Sequence, residues 1–297
     1  MAGLGNPFLW LDVFAEAPLQ GNGLAVVLDA DGVDDPTMLA FARETGLSET
    51  TFVQSATAEA AEEGADYRNR IWTISGEIPF AGHPSLGTAV AVAIQGGVES
   101  ATFTQQTEVG LQEVDVVRSE TGGSGPEAWQ ASVHQEKAEF GDLVAADRVA
   151  AVLGLSVDQI DTRYSAQVVS TGLPALLIPL RDLEALQACS GDPAALGELG
   201  FGDALNVYPF VFDVPTRTVR ARCFALDLGE FEDPATGSAA GPLVAYLQDI
   251  LDVDRVEIRQ GVEMGRPSLI EARMDSGRPR VSGRVQVVMA GHANLPA

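Results

Sequence analysis

Two short motifs carry the groups in this chain best able to do chemistry: HPSLGTA, beginning at His83, and DPATGSA, beginning at Asp233. Each turns through proline and glycine into an apolar stretch that reads as a helix, so the backbone N–H groups at two helix starts lack intrahelical partners. Such termini attract anions. The donors of Gly87, Thr88, Gly237 and Ser238 could hold a carboxylate or a developing enolate oxygen. Capping of the two helices by Thr and Ser is the competing, purely structural use of the same residues. His83 and Asp233 head the motifs, and two halves packed about a pseudo-two-fold axis would bring them face to face. A carboxylate opposite an imidazole favours the charged ring, so the pair suits orienting a substrate or relaying a proton. Either residue alone at a helix start is as often structural. Glu49, in LSETTF, falls in a helix-to-strand loop of the sort from which reactive groups project. Composition does not separate it from Glu44 or Glu77, and a loop glutamate is usually a solvated charge.

Composition removes several kinds of chemistry. The basic residues are 17 Arg and one Lys, Lys137, which lies in HQEKAEF with no glycine before it. Neither a Schiff-base lysine for pyridoxal phosphate nor a Walker A loop fits. The histidines His83, His134 and His292 are dispersed without paired-ligand spacing, so no metal is expected. Cys189 and Cys223 form neither a CxxC pair nor a disulfide framework and read as small buried hydrophobes. The net charge of −24 and pI near 4.3 would repel nucleic acid and anionic membrane surfaces. That acidity suits a salt-rich cytosol or a GC-rich genome. No apolar run approaches the ~20 residues of a membrane span, and the N-terminus lacks the basic region of a secretion signal. A cytoplasmic protein is expected.

The elements that must position these residues follow from patterning. FLWLDVF and LAVVLD read as a hairpin-like pair of strands. A helix follows, with Asp35 as its cap, Pro36 at its first helical position and Gly46 at its end. TTFVQS and YRNRIWTI read as strands, the helix after Pro84 is apolar nearly all round, and the segment TGGSGPE (121–127) reads as a linker. Beyond it come a helix over Leu143–Leu153, strands near Gln167–Val169 and Ala175–Leu180, short helices around Cys189 and Leu196, and strands at NVYPFVFD and TVRARCFALD. A buried helix from about Thr236 and a strand-rich tail complete the chain. The length favours two domains, drawn at 1–122 and 123–297, with the tail after Arg278 a candidate to return to the first. The two motifs lie 150 residues apart (233 − 83), and GLAVVL faces LPALLI at the same offset (173 − 23). Two coincident offsets near half the chain length point to a duplicated α+β unit.

The motifs LSETTF, EIPFAGHPSLGTA and EDPATGSAAGPLVAYL, with the opening DVFAEAPLQGNGLAVVLD and STGLPALLIPL, resemble the phenazine-biosynthesis PhzF-like family, which shares the diaminopimelate epimerase fold. The resemblance spans essentially the whole chain. It implies two pseudo-symmetric halves, each a barrel-like sheet around a central helix, with the active site between them. It also implies a cofactor-independent isomerase in which Glu49 is the general acid/base, His83, Asp233 and Ser238 bind and orient the substrate, and the Gly82 backbone completes the pocket. Racemases of this fold use two opposing cysteines, and the corresponding positions here are Gly82 and Asp233. Gly23 and Ser85 depart from the family's usual Pro and Thr. The expected substrate is a small, anionic, cyclic or unsaturated amino acid, for which trans-2,3-dihydro-3-hydroxyanthranilate is the family's best-known example, and the expected assembly is a homodimer. A non-catalytic binder of anionic metabolites is the alternative. A hydrolase using Ser238 is weaker, because no GxSxG elbow surrounds it.

Overall fold

The computed structural model describes residues 5–119, 128–191, 194–195, 206–225 and 232–296. The chain divides into two units, Met1–Val133 with Ser282–Ala297, and His134–Val281. The TGGSGPE segment and the boundary drawn at 122 lie outside the described residues.

In the first unit β1 (Asn6–Val13) and β2 (Asn22–Val27) form the antiparallel pair read from the sequence. Helix α1 (Asp35–Thr45) then crosses over to β3 (Glu49–Gln54), which lies parallel to β2 as such a crossover allows. Its cap is Asp34 rather than Asp35: the Asp34 carboxylate accepts from the Thr37 N–H at 2.9 Å. Gly46 ends the helix in the left-handed region at φ 64°. After a short helix α2 (Ala58–Glu62) come β4 (Tyr67–Trp72) and the two-residue β5 (Glu77–Ile78). Helix α3 (Gly82–Gly96) leads to β6 (Ser100–Thr107), β7 (Gly110–Arg118) and β8 (Ala128–His134). The strand order β1-β2-β3-β4-β6-β7-β8 is completed by the chain's last strand, Arg278–Ala293, which also pairs with β1 from Asn6↔Ala293 to Val13↔Val285 and closes an eight-stranded barrel.

Helix α3 packs against β1, β2, β3, β4, β6 and β7 and so fills the barrel. Its apolar, small-residue sequence suits that place, and Leu86, Ala89 and Val90 are fully buried. On the outside, Met38 and Ala42 of α1 cover Val27, Phe52 and Trp72. β2 is therefore buried at every position, which explains why these strands read as apolar runs instead of alternating.

The second unit repeats this plan. β9 (Glu139–Val144) and α4 (Ala146–Leu153) share the stretch read as one helix, followed by β10 (Ala166–Ser170), β11 (Pro174–Pro179) and α5 (Leu183–Ala188). Helix α5 ends before Cys189, and Leu196 lies outside the described residues. Then come β12 (Asn206–Asp213), β13 (Thr218–Ala221), α6 (Gly237–Leu251), β14 (Arg255–Gln260), β15 (Ser268–Asp275) and β16 (Arg278–Ala293). The pairings β10–β11, β11–β12, β12–β13, β13–β14 and β14–β15 run antiparallel, parallel, antiparallel, parallel, antiparallel. β1, β2, β3, β4, β6 and β7 follow the same alternation. The core of this unit packs Val149 and Leu153 of α4 and Leu186 of α5 against Leu176, Ile178 and Val207. Arg222, nearly buried, ties the region together: its guanidinium meets both Glu232 oxygens at 2.7 Å and donates to the Leu186 carbonyl at the end of α5. Among the described residues no helix is long and apolar enough to cross a membrane.

Candidate active site

Glu49 is the first residue of β3, opposite Leu24 in the parallel register. Expected from the sequence in the helix-to-strand loop, it lies instead in the strand and is 5 % exposed, because β3 begins one residue earlier than the apolar pattern suggests. His83, the second residue of α3, is equally buried, and its Nε2 stands 3.5 Å from Glu49 Oε2. On the ring's other side the Asn22 amide Nδ2 donates to His83 Nδ1 at 3.3 Å, and Ser48 Oγ donates to Asn22 Oδ1 at 3.3 Å. Burial pushes the His83 pKa down to about 3, with the Gly23 backbone pulling weakly the other way. The ring is neutral at neutral pH, and the expected imidazolium is not formed.

Gly82 and His83 open α3, where their N–H groups have no carbonyl one turn earlier to bond. Pro84 needs none, and Ser85 already reaches back to Ala81. Gly87 and Thr88 therefore sit in the second turn and are not free helix-end donors. A Cβ on Gly87 would lie 2.5 Å from Leu24 Cδ2 and 3.0 Å from Val13 Cγ2, so this glycine lets α3 approach the barrel wall. Thr88 Oγ1 bonds Thr51 Oγ1 at 2.8 Å, linking α3 to β3.

In the second unit Asp233 is 7 % exposed. Its Oδ2 accepts from Thr236 Oγ1 at 2.6 Å, and its backbone N–H donates to the Cys223 carbonyl. Gln260, fully buried, donates to the Asp233 carbonyl at 2.7 Å and to Thr236 Oγ1 at 2.8 Å, and accepts from Tyr208 Oη at 2.8 Å. Burial holds the Tyr208 hydroxyl well above its usual pKa, so it remains a donor. Thr236 precedes α6 but makes no side-chain cap, because its hydroxyl is committed to Asp233. Gly237 and Ser238 open the helix. The Gly237 carbonyl accepts from Gln135 Nε2 at 2.8 Å, and Ser238 Oγ from Asn206 Nδ2 at 3.4 Å.

The duplication can now be read in space. β3 begins at Glu49 and β12 at Asn206, each parallel to the strand before its crossover helix. His83 and Ser238 are the second residues of α3 and α6. The pair Glu49–His83, at 3.5 Å, thus has Asn206–Ser238, at 3.4 Å, as its counterpart. His83 and Asp233, read from the sequence as equivalent, are not: Asp233 lies three residues before the cap of its helix, whereas His83 lies inside its own. The structure brings Glu49 and His83 together in one unit, and gathers Asp233, Gly237 and Ser238 around the start of α6 in the other. Asn22, Ser48, Thr236, Gln260 and Asn206 escaped the sequence reading. Asn22 looked like turn punctuation in QGNG, and Gln260 carries no motif. Among the described residues no three His, Cys, Asp or Glu side chains are grouped as ligands of a metal ion.

A family model for phenazine biosynthesis-like proteins (PhzC-PhzF) matches residues 11–296. A trans-2,3-dihydro-3-hydroxyanthranilate isomerase of Pseudomonas fluorescens is 35% identical over 284 residues, covering 94% of each chain. The solved structure of a predicted epimerase from Pseudomonas aeruginosa aligns with TM-score 0.79 and 35% identity, over 97% of this chain and 99% of that one. A hydroxyproline epimerase from Agrobacterium vitis, 14% identical, shares the fold alone with TM-score 0.62 over 96% of this chain and 91% of its own. With its closed barrel, central helices and duplicated strand order, the chain belongs to the phenazine biosynthesis-like PhzF family and is an isomerase of diaminopimelate epimerase-like fold.

Proposed function

We propose that this protein moves a proton, without a cofactor, within a small carboxylate-bearing ring amino acid of the type of trans-2,3-dihydro-3-hydroxyanthranilate, with Glu49 as the acid/base. The Glu49 carboxylate takes a proton from one carbon. The electron pair left behind shifts into the adjoining double bond, and the resulting carboxylic acid returns the proton at the far end of that system. Substrate and product then differ only in the place of one hydrogen and one double bond, and Glu49 ends as it began. The observation that carries this reading is a carboxylate 5 % exposed, 3.5 Å from a histidine that burial keeps neutral. A base so sheltered keeps the proton it has taken instead of losing it to water.

In this reading Asp233 completes the catalytic set with His83, and Ser238, with the Gly82 and Gly237 backbone, binds the substrate. The first N–H groups of α6 suit its carboxylate or a developing enolate oxygen, and Asp233 suits a protonated amine. The protein is further proposed to act as a cytoplasmic homodimer, which light scattering and cell fractionation test.

The deciding experiment incubates trans-2,3-dihydro-3-hydroxyanthranilate in heavy water with wild type and with Glu49→Gln, followed by proton NMR. Wild type should isomerise it, and the variant should be slower by roughly 10²–10⁴-fold. Equal rates would remove Glu49 from the role. Tight binding with neither isomerisation nor exchange at any carbon would make the protein a binder.

A further inference from the structure

The polar groups around Glu49 form a chain that begins and ends on neighbouring residues. Ser48 Oγ donates to Asn22 Oδ1 at 3.3 Å, Asn22 Nδ2 meets His83 Nδ1 at 3.3 Å, and His83 Nε2 faces Glu49 Oε2 at 3.5 Å. Asn22, His83 and Glu49 are each at most 5 % exposed, so bulk water does not compete for these atoms.

An amide nitrogen only donates, and a neutral imidazole has one N–H and one lone pair. Where Asn22 Nδ2 meets Nδ1, that nitrogen must carry the lone pair, and the ring hydrogen must be on Nε2. The other end of the ring makes the same demand, since a lone pair on Nε2 would be set against the Glu49 carboxylate. The Gly23 backbone, which also bonds this histidine, is the partner that Asn22 has to outweigh. We propose that Asn22 is a positioning residue for the isomerase: by donating to Nδ1, and held by Ser48, it fixes His83 as the Nε2–H tautomer and aims that hydrogen at Glu49. His83 then presents an N–H instead of a lone pair to the Glu49 carboxylate, 3.5 Å away and short of a hydrogen bond, and is not a second base.

The catalytic part of this inference rests on Glu49 being the base, whereas the tautomer does not. With three histidines in the chain, long-range ¹H–¹⁵N spectra of the ring nitrogens are simple, and His83→Gln assigns the His83 signals by their loss. Wild type should show a lone-pair nitrogen at Nδ1 and N–H at Nε2. Asn22→Asp, which keeps the shape but can only accept, should move the hydrogen to Nδ1 or protonate both nitrogens. Asn22→Ala should leave a mixture, and if it folds poorly the aspartate variant still decides. A wild-type Nδ1–H ring, or spectra unchanged in Asn22→Asp, overturns the proposal whatever the substrate. With substrate, Asn22→Asp should lower kcat roughly 10–100-fold, the usual size for a residue orienting another, with KM little changed. A shifted tautomer with unchanged kcat would retain the tautomer assignment and refute the positioning role.

Discussion

The stability of the first unit should depend on pH through His83 in a way that can be calculated. The unfolded ring titrates at 6.5, while burial holds the folded one down to about 3. Its stabilising contribution is therefore fully present above 6.5 and is lost as pH falls from there toward 3, because only the unfolded chain takes up the proton. At pH 5 the loss is about 2 kcal/mol, whereas at pH 7 it is well under 1 kcal/mol. His83→Gln removes this dependence, although it lowers stability at every pH by breaking the contacts with Asn22 and Glu49. The assay is urea unfolding at pH 7, 6 and 5, followed by tryptophan fluorescence. Trp10, Trp72 and Trp129 all lie in the first unit, so the signal reports on the unit that holds His83. Between pH 7 and 5 wild type should lose about 2 kcal/mol more than the variant. Contributions from the rest of the chain are common to both proteins and cancel. Parallel pH profiles would mean that the ring takes up its proton in the folded state, and the account of a neutral, sealed-off histidine would fail.

Two further outcomes follow from packing. Arg222→Ala leaves Glu232 without its bidentate partner and exposes the carbonyls at the end of α5, so thermal or urea unfolding of the second unit should show a loss of about 3 kcal/mol. Gly87→Ala forces a methyl group to 2.5 Å from the fully buried Leu24. The overpacking outweighs the helix propensity gained and should leave a net loss of about 1 kcal/mol, with KM for substrate unchanged, since Gly87 on α3 faces the barrel wall. A raised KM without loss of stability would return Gly87 to the binding residues.

Much of the architecture could be read from local chemistry. Pro36 and Gly46 marked the limits of α1, and only the choice between two adjacent aspartates as cap was missed, a choice that backbone geometry alone makes. Pro84 suggested a helix start, but proline fits anywhere in a first turn, so α3 begins two residues earlier, at Gly82. That shift matters for the repeat. The similarity of HPSLGTA to DPATGSA compares the first turns of one helix with the turn before another. The structural offset between helix starts is 155 residues (237 − 82), because connections of different length separate otherwise equivalent strands. Burial of Glu49 was not readable, since nothing in LSETTF distinguishes a strand's first inward residue from a loop charge. The family resemblance, not composition, singled it out. Asn22 was hidden for the opposite reason: asparagine between glycines has an ordinary explanation in a turn, and its contact with His83 spans 61 positions.

Among the described residues, Asn206 and Ser238 stand in the second repeat where the first has the ionisable pair Glu49 and His83. Racemases that set a base on each side of a carbon lift hydrogen from one face and supply it to the other, and so invert handedness. In the reaction proposed above a single carboxylate, Glu49, both lifts the hydrogen and returns it, so the hydrogen is expected to arrive on the side of the ring that it left, a suprafacial transfer.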